Sequence, residues 1–138
     1  MIHAFVLNNN RKLFDGTIAL TAYYNGYFYY IEGGRTLLRV KEDGTQQSTV
    51  LTLPYNQHLV DVKILGNWIY YTVRQFDSGM PSYAQYSGHL YRESFDGRKE
   101  ELTQVKTGLF YVFKDGYCYQ AFENTEEGIL AKWEFRYF

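Results

Sequence analysis

Short segments in which apolar and polar residues alternate run along this chain, and Gly or Asn separates them. Residues 58–65 alternate over their central part, Gly66-Asn67 follows, and residues 68–73 are then apolar or aromatic on both faces. A period of two is that of a β-strand, and Gly-Asn pairs form two-residue hairpin turns. The pattern predicts an all-β chain without helices, in which residues 68–73 are buried on both faces.

Two phrases of this pattern recur. Residues 25–30 read Asn-Gly-Tyr-Phe-Tyr-Tyr, residues 66–71 read Gly-Asn-Trp-Ile-Tyr-Tyr, and residues 115–119 read Asp-Gly-Tyr-Cys-Tyr. The form Leu-x-Arg-x-x-x-Asp-Gly occurs at 37–44 and again at 90–97. Repeats of about 40–50 residues built from short aromatic strands are typical of β-propeller blades. We therefore predict antiparallel, four-stranded blades, about three of them in this chain.

The repeats define a single propeller-like domain over 1–138, with a partial blade at 1–17, blades at 18–54 and 55–104, and a partial blade at 105–138. The strands are expected at 2–7, 11–14, 18–24, 27–31, 37–41, 46–53, 58–65, 68–73, 90–95, 98–103, 109–113, 117–122 and 129–135. Four aromatic residues on inner strands should be largely buried: Phe28, Tyr30, Trp68 and Tyr70.

The phrases resemble the YWTD-type β-propeller of low-density-lipoprotein-receptor-like ectodomains and their bacterial relatives. Tyr70-Tyr71-Thr72 is similar to the first family motif, and Leu90-Tyr91-Arg92 with Asp96-Gly97 matches the second. Val73 replaces the Asp of the motif, and the third copy keeps only the aromatic strand. The resemblance implies a six-bladed ring and a binding role without chemistry of its own.

Three blades leave such a ring open, and a second chain would complete it to six. The first predicted hairpin has no inner strands, and the last blade has no fourth strand. We therefore expect a homo-oligomer, in the first place a two-fold dimer, that joins the first strands of one chain to the last strands of another. The aromatic segment 133–138 should supply most of the buried surface.

The composition changes this interpretation little. Aromatic residues make up 20% of the chain, which suits strands. The 14 basic and 15 acidic residues give a net charge of −1 without a basic block, so neither nucleic acid nor an anionic membrane is an expected partner. The first residues lack the features of a signal peptide. A cytoplasmic protein is expected; the alternative is a fragment of a secreted or cell-surface protein.

Candidate chemistry is sparse, and we expect no enzyme, no cofactor and no metal site. His3, His58 and His89 lack the spacing of metal ligands. Cys118, the single cysteine, lies in mid-strand, where free Cys is usually a small hydrophobe rather than a nucleophile.

The recurring Arg and Asp positions have a structural explanation. In both copies Asp-Gly should form a hairpin turn, at Asp43 and Asp96. Arg39 and Arg92 should bind backbone groups or a carboxylate of the next blade. Ligand contacts around a ring are the alternative explanation for both sets.

The long connection 74–88 is the candidate binding site, because loops on repeat scaffolds often bind partners. Its aromatic residues, together with Arg and Asp, have the composition of a recognition surface. We predict a non-catalytic binding or assembly module that recognises a protein or peptide through its blade faces and this loop; a carbohydrate-binding module that uses exposed aromatic residues is the alternative. A drifted insertion, or packing over a partner chain, would also explain the loop. The predicted contact residues are Arg74, Phe76, Asp77, Met80, Tyr83 and Tyr86.

Overall fold

The structure, a computed structural model, describes residues 6–7, 11–12, 19–75 and 88–138. Every regular element in these ranges is a β-strand, and all the sheets are antiparallel, which confirms the predicted all-β class. The chain divides into two compact units, Met1–Tyr55 and Asn56–Phe138, and each is described by itself.

The first unit contains a short hairpin and a four-stranded sheet. The hairpin pairs Val6–Leu7 (β1) with Arg11–Lys12 (β2). The first sheet has its strands in chain order: Ala19–Tyr24 (β3), Tyr27–Glu32 (β4), Thr36–Lys41 (β5) and Ser48–Thr52 (β6). Asn25 and Gly26 form the β3–β4 turn with φ of 51° and 83°, as expected for a two-residue hairpin.

The second unit contains two sheets, again with their strands in chain order. The second sheet consists of Gln57–Leu65 (β7), Trp68–Gln75 (β8), Leu90–Ser94 (β9) and Lys99–Glu101 (β10). The third sheet consists of Lys106–Phe113 (β11), Gly116–Thr125 (β12) and Gly128–Tyr137 (β13). A strand therefore forms at every position where residues 18–135 were predicted to contain one.

The third hairpin differs from the other two at its turn. The repeated phrase aligns Gly116 with the turn residue Gly26, but Lys114 and Asp115 form the turn and Gly116 is the first residue of β12. A Cβ atom on Gly116 would lie 2.2 Å from the carbonyl oxygen of Arg136. The glycine is thus required by the close approach of β13, not by the turn.

The core of the second unit lies between its two sheets, which pack face to face. Phe110 is completely buried, and the ammonium of Lys63 lies 4.4 Å from the centre of its ring. The cluster comprises Tyr70 and Leu90 from the second sheet and Phe110, Tyr117, Tyr119 and Ala121 from the third. On β8, residues 69–73 are all buried, which confirms that this strand is buried on both faces.

Hydrogen bonds connect the two sheets where the chain passes from one to the other. The hydroxyl of Thr103 accepts from the amide of Leu90 at 2.9 Å and lies 2.7 Å from the hydroxyl of Thr107. The hydroxyl of Tyr117 donates to the carbonyl of Leu102 at 3.1 Å. Buried hydroxyls thus have partners in this crossover, which comprises residues 102–107.

Two of the four predicted core aromatics are buried. Tyr30 and Tyr70 are 1% and 2% exposed, as expected, but Phe28 and Trp68 are only half-buried. Trp68 is less buried than Tyr70 because it opens β8 beside the hairpin, where the guanidinium of Arg92 covers its ring at 4.0 Å. Tyr29, which the sequence analysis did not single out, is buried as well, and so are Ile69 and Tyr71 of β8.

Two neighbouring substitutions test this core. Phe110→Ala should lower the free energy of unfolding by ~3–5 kcal/mol, because it leaves a cavity between the sheets. Tyr111→Ala, on the exposed side of the same strand, should cost less than about 1 kcal/mol. Urea unfolding of both variants measures the difference, and equal losses would contradict the face-to-face packing.

Tyrosine ionisation gives a second test. Burial raises the pKa of Tyr30, Tyr70, Tyr71, Tyr91 and Tyr117, and burial together with the Glu134 carboxylate raises the pKa of Tyr119 to about 12. A raised pKa stabilises the fold below the unfolded value of about 10, and this stabilisation is lost as pH rises through the folded pKa. We expect stability to fall from about pH 10 upward, with late tyrosinate absorbance appearing as the fold is lost. Normal ionisation of every tyrosine in an intact fold would refute this.

Candidate functional site

The recurring arginines stack on aromatic rings of their own sheets, and Arg92 also lies 4.5 Å from the centre of the Phe138 ring, which follows β13. The guanidinium of Arg39 lies 4.2 Å from the centre of the Tyr27 ring, and Arg92 lies over Trp68 in the same way. Arg92 also donates from Nε to Glu100 at 2.5 Å. The expectation of a carboxylate on the next blade was therefore wrong for Arg92, because Glu100 lies on the adjacent strand of the same sheet.

In the third sheet a glutamate occupies the equivalent place. Arg92 lies opposite Tyr70 on the neighbouring strand, whereas Glu134 lies opposite Tyr119. Glu134 accepts from the hydroxyl of Tyr119 at 2.8 Å and from Arg136 at 2.6 Å. The bond from Tyr119 holds the pKa of Glu134 below its usual value.

Asp43 and Asp96 form turns, as predicted. Asp43 accepts from the backbone amide of Thr45 at 2.9 Å. Asp96 accepts from Ser94 and from Arg98 Nε, and these two hydrogen bonds lower its pKa. Both carboxylates therefore have local structural roles.

The predicted binding loop is only partly described. Arg74 is half-buried near the end of β8, opposite His58. At the other end the amide of Gly88 donates to the carbonyl of Val73 at 2.7 Å. The remaining candidates lie outside the described residues, so their role stays a prediction: Phe76, Asp77, Met80, Tyr83 and Tyr86.

Histidines and the cysteine occupy separate places. His3 lies outside the described residues, and Nδ1 of His89 contacts the carboxylate of Glu101. Cys118 is half-buried in the middle of β12. Within residues 19–75 and 88–138, no three His, Cys, Asp or Glu side chains lie close enough to hold a metal ion together.

A cleft of about 340 Å³ opens between the inner strands of the second unit. Val60 and Leu109, each more than half exposed, line its walls. Asp61 is its only charged lining residue and binds Lys63 at 2.8 Å. The cleft is therefore mainly apolar, and its one carboxylate already has an ion-pair partner.

The most unusual surface of the described chain is one face of the third sheet. It exposes large aromatic side chains where a solvated sheet normally presents polar ones. Phe135 and Tyr137 are 63% and 79% exposed. We call the following residues the aromatic face: Tyr111, Phe113, Trp133, Phe135 and Tyr137.

Small residues in the middle strand shape the aromatic face. Gly116 pairs with Phe113 on one side and Tyr137 on the other, and the two rings meet edge to face with centres 6.4 Å apart. One step along the sheet, the rings of Tyr111 and Trp133 lie 5.9 Å apart. Rings from the outer strands can approach each other because the middle strand leaves space, an arrangement known to protect glycines in sheets.

Strand β13 places its apolar side chains toward solvent and its charges on the opposite face. Its odd-numbered residues from 129 to 137 are Ile, Ala, Trp, Phe and Tyr. On the other face Lys132 binds Glu123 at 2.8 Å, and Glu134 binds Arg136. The exposed face of β13 thus has the composition that buried strands have.

Strand β13 is also a long edge strand. In the other two sheets the fourth strand is short: β6 has five residues, and β10 has three, all charged and exposed. Strand β13 has ten residues, and no strand of the described chain pairs with its outer edge. A long edge without Pro or a bulge offers its amides and carbonyls to another chain.

The sequence analysis located part of this site. It identified the aromatic segment 133–138 as an interface, and β13 is exposed there. It missed Tyr111 and Phe113, which β11 contributes across the sheet. The alternation of apolar residues over 129–137 was a usable signal, but the sequence does not say which face of the strand is covered.

No family model, curated protein or solved structure matches this chain. In the described residues, no helix is long and apolar enough to cross a membrane.

Gly116 provides a test of the site's construction. Gly116→Ala should lower the free energy of unfolding by ~1–3 kcal/mol, because the new methyl group collides with the backbone of β13 and crowds Phe113. Cys118→Ala, two residues along the same strand, is the control and should have a smaller effect. Thermal unfolding of both variants measures this, and a neutral Gly116→Ala would contradict the close approach of the two strands.

Proposed function

We propose that this protein is a non-catalytic assembly and binding module, and that the aromatic face is its protein-docking surface. The observation that supports this is the exposed row of aromatic side chains on a strand whose outer edge pairs with no strand of the described residues. A solvated sheet normally alternates apolar residues inward with polar residues outward. The reversed alternation on β13 is therefore best explained by a second protein surface that covers it.

The size of the aromatic face supports this proposal. With ~200 Å² for a fully exposed aromatic side chain, the exposed fractions amount to roughly 500 Å² of surface. The largest apolar patch on a typical monomer is about 300–600 Å² and is often functional. A stable interface buries about 800 Å² on each partner, so the aromatic face would supply more than half of one.

We further propose that the sheets are propeller-like blades and that the protein assembles as a homodimer. The blade proposal is supported by the in-order antiparallel sheets, by the face-to-face packing in the second unit and by the resemblance to the YWTD type. A three-bladed chain that pairs with a second copy would give a ring of six. The dimer proposal needs a self-complementary surface, and β13 offers one.

Carbohydrate binding is the second candidate. The observation in its favour is the exposed pair of Tyr111 and Trp133, since aromatic rings of this kind stack on sugars. A repeated sugar site would expose aromatics at equivalent positions in each sheet. Tyr30 and Tyr71, which occupy equivalent positions in the repeated phrase, are both buried, so the proposal for a sugar rests on the third sheet alone.

The assembly proposal predicts the mass of the protein in solution and a dimer that one substitution on the aromatic face weakens. The wild type should have about twice the 16.3 kDa mass of the chain by light scattering. Phe135→Ser should weaken the dimer by about 2–4 kcal/mol, because two copies of the ring lose their burial. Tyr55→Ser, which removes an aromatic residue that is 89% exposed in the first unit, is the control and should leave the dimer intact.

Two outcomes would contradict this function. A wild type that stays monomeric at micromolar concentrations would exclude self-assembly. Dimers that respond equally to both substitutions would exclude the aromatic face as the interface. If a panel of polysaccharides retards the wild type in native gels, and Trp133→Ala abolishes the retardation, carbohydrate binding becomes the better explanation.

A further inference from the structure

We infer that β13 pairs with β13 of a second copy, antiparallel, with Trp133 opposite Trp133 of the partner subunit. This inference rests on the proposed assembly function and gives it a single register. It concerns the outer edge of the third sheet: two copies would form one continuous six-stranded sheet, in place of a closed ring that joins first strands to last strands.

The free backbone groups belong to the odd-numbered residues of β13. The amide of Phe138 donates to the carbonyl of Asp115 at 3.0 Å, toward the β12 side. Along an antiparallel strand, successive residues direct their amide and carbonyl groups to opposite edges. Ile129, Trp133 and Tyr137 thus face the free edge, together with Ala131 and Phe135. In a two-fold pair, odd-numbered residues must lie opposite odd-numbered residues to exchange hydrogen bonds.

Each register has a centre, the residue that lies on the two-fold axis and faces its own copy. The charges on the other face of β13 exclude two registers whose centre lies near the middle of the strand. A centre at Glu134 would place Glu134 opposite itself and Lys132 opposite Arg136. A centre at Lys132 would place two ammonium groups together. Like charges directly opposite one another destabilise a sheet. A centre at Trp133 places Lys132 opposite Glu134 of the partner subunit, twice by symmetry.

A centre at Phe135 also satisfies the charges, since it pairs Glu134 with Arg136. It aligns only residues 132–138, however, and leaves the first part of the strand unpaired. A centre at Trp133 aligns the whole of 128–138 with its symmetry copy. The longer overlap pairs all five free-edge residues of each chain, so we favour the centre at Trp133.

The aromatic face fits the same register. Trp133 faces its own copy at the centre, and Ala131 of each chain lies beside this central pair. Phe135 lies opposite Ala131 of the partner subunit, so a large side chain meets a small one. Tyr137 lies opposite Ile129 of the partner subunit, an aromatic–β-branched pair of the kind that stabilises sheets. The rings of Trp133, Phe135 and Tyr137 are thus covered along the seam by side chains of the partner subunit, and the two aromatic faces lie on the same side of the combined sheet.

The predicted alternative occupant of this edge is a first strand of the partner. The length of β13 and its internal charge symmetry favour the pairing of β13 with itself.

A charge-reversal experiment tests the register. In Lys132→Glu homodimers, two carboxylates would face each other at each pair, and in Glu134→Lys homodimers, two ammonium groups would. Each variant alone should dimerise about tenfold more weakly than the wild type. An equimolar mixture should recover wild-type affinity, because the carboxylate introduced in one variant then faces the ammonium introduced in the other. Sedimentation velocity on fluorescently labelled chains measures the three affinities.

The matched control is the edge strand of the second sheet. Lys99 and Glu101 on β10 have the same spacing as Lys132 and Glu134. Lys99→Glu and Glu101→Lys should leave dimerisation unchanged, alone and mixed. Circular dichroism of all four variants verifies that each remains folded.

A cross-link provides a second readout if a charge variant does not fold. In the background Cys118→Ser, Trp133→Cys should form a disulfide-linked dimer on oxidation. Residues that face each other as a hydrogen-bonded pair have Cα atoms about 5.5 Å apart, within the range that a disulfide spans. The control is Tyr111→Cys on β11: position 111 is exposed on the same face but lies away from the edge, so this variant should not form a disulfide-linked dimer.

The outcomes separate this inference from the proposed function. Weak single variants, a restored mixture and a cross-link at position 133 would support the register. If the wild type is a dimer, both charge variants dimerise as tightly as it does, and position 133 does not cross-link, the register is wrong. Self-assembly through another surface would still be consistent with that result. A wild type that is monomeric would overturn both.

Discussion

The packing of the third sheet against the second depends on Phe110, around which the rest of the second unit is arranged. Its ring is fully buried, with Lys63 over it and Tyr70 in the same cluster. Because side chains alternate along a strand, fixing Phe110 inward fixes Tyr111 outward. The same constraint passes through the register to β12 and β13 and exposes Phe135. The burial of the core and the exposure of the aromatic face thus both follow from which side of β11 packs against the second sheet.

The repeated phrases predicted the strands well because the signal is local. Alternation and turn residues are properties of neighbouring positions, and they located β3 to β13 to within a few residues. Burial is not local in this sense. Tyr29 and Phe28 look equivalent in the sequence, yet only Tyr29 is fully buried, because burial depends on what the sheet packs against.

The third copy shows where sequence reasoning about the site was insufficient. Its motif arginine is replaced by Glu134, which binds Tyr119 and Arg136. The repeated motif is therefore lost in the same sheet that carries the aromatic face. The loop 74–88 was predicted as a binding site from its local composition. The aromatic face, in contrast, depends on the pairing of three separate strands. Residues such as Phe113 and Tyr137 become neighbours only through the register of β12, which the sequence does not specify.

The bond between Gly88 and Val73 joins the two ends of the long loop. Any side chain on Gly88 would collide with Val73, since a Cβ atom would lie 2.3 Å from its Cγ2. The carbonyl of Gly88 also accepts from the amide of Thr107, which fixes this end to the crossover. Both bonds are made by backbone groups. A change of sequence between Val73 and Gly88 therefore leaves the groups that hold β8 and β9 together at this end of the sheet unchanged.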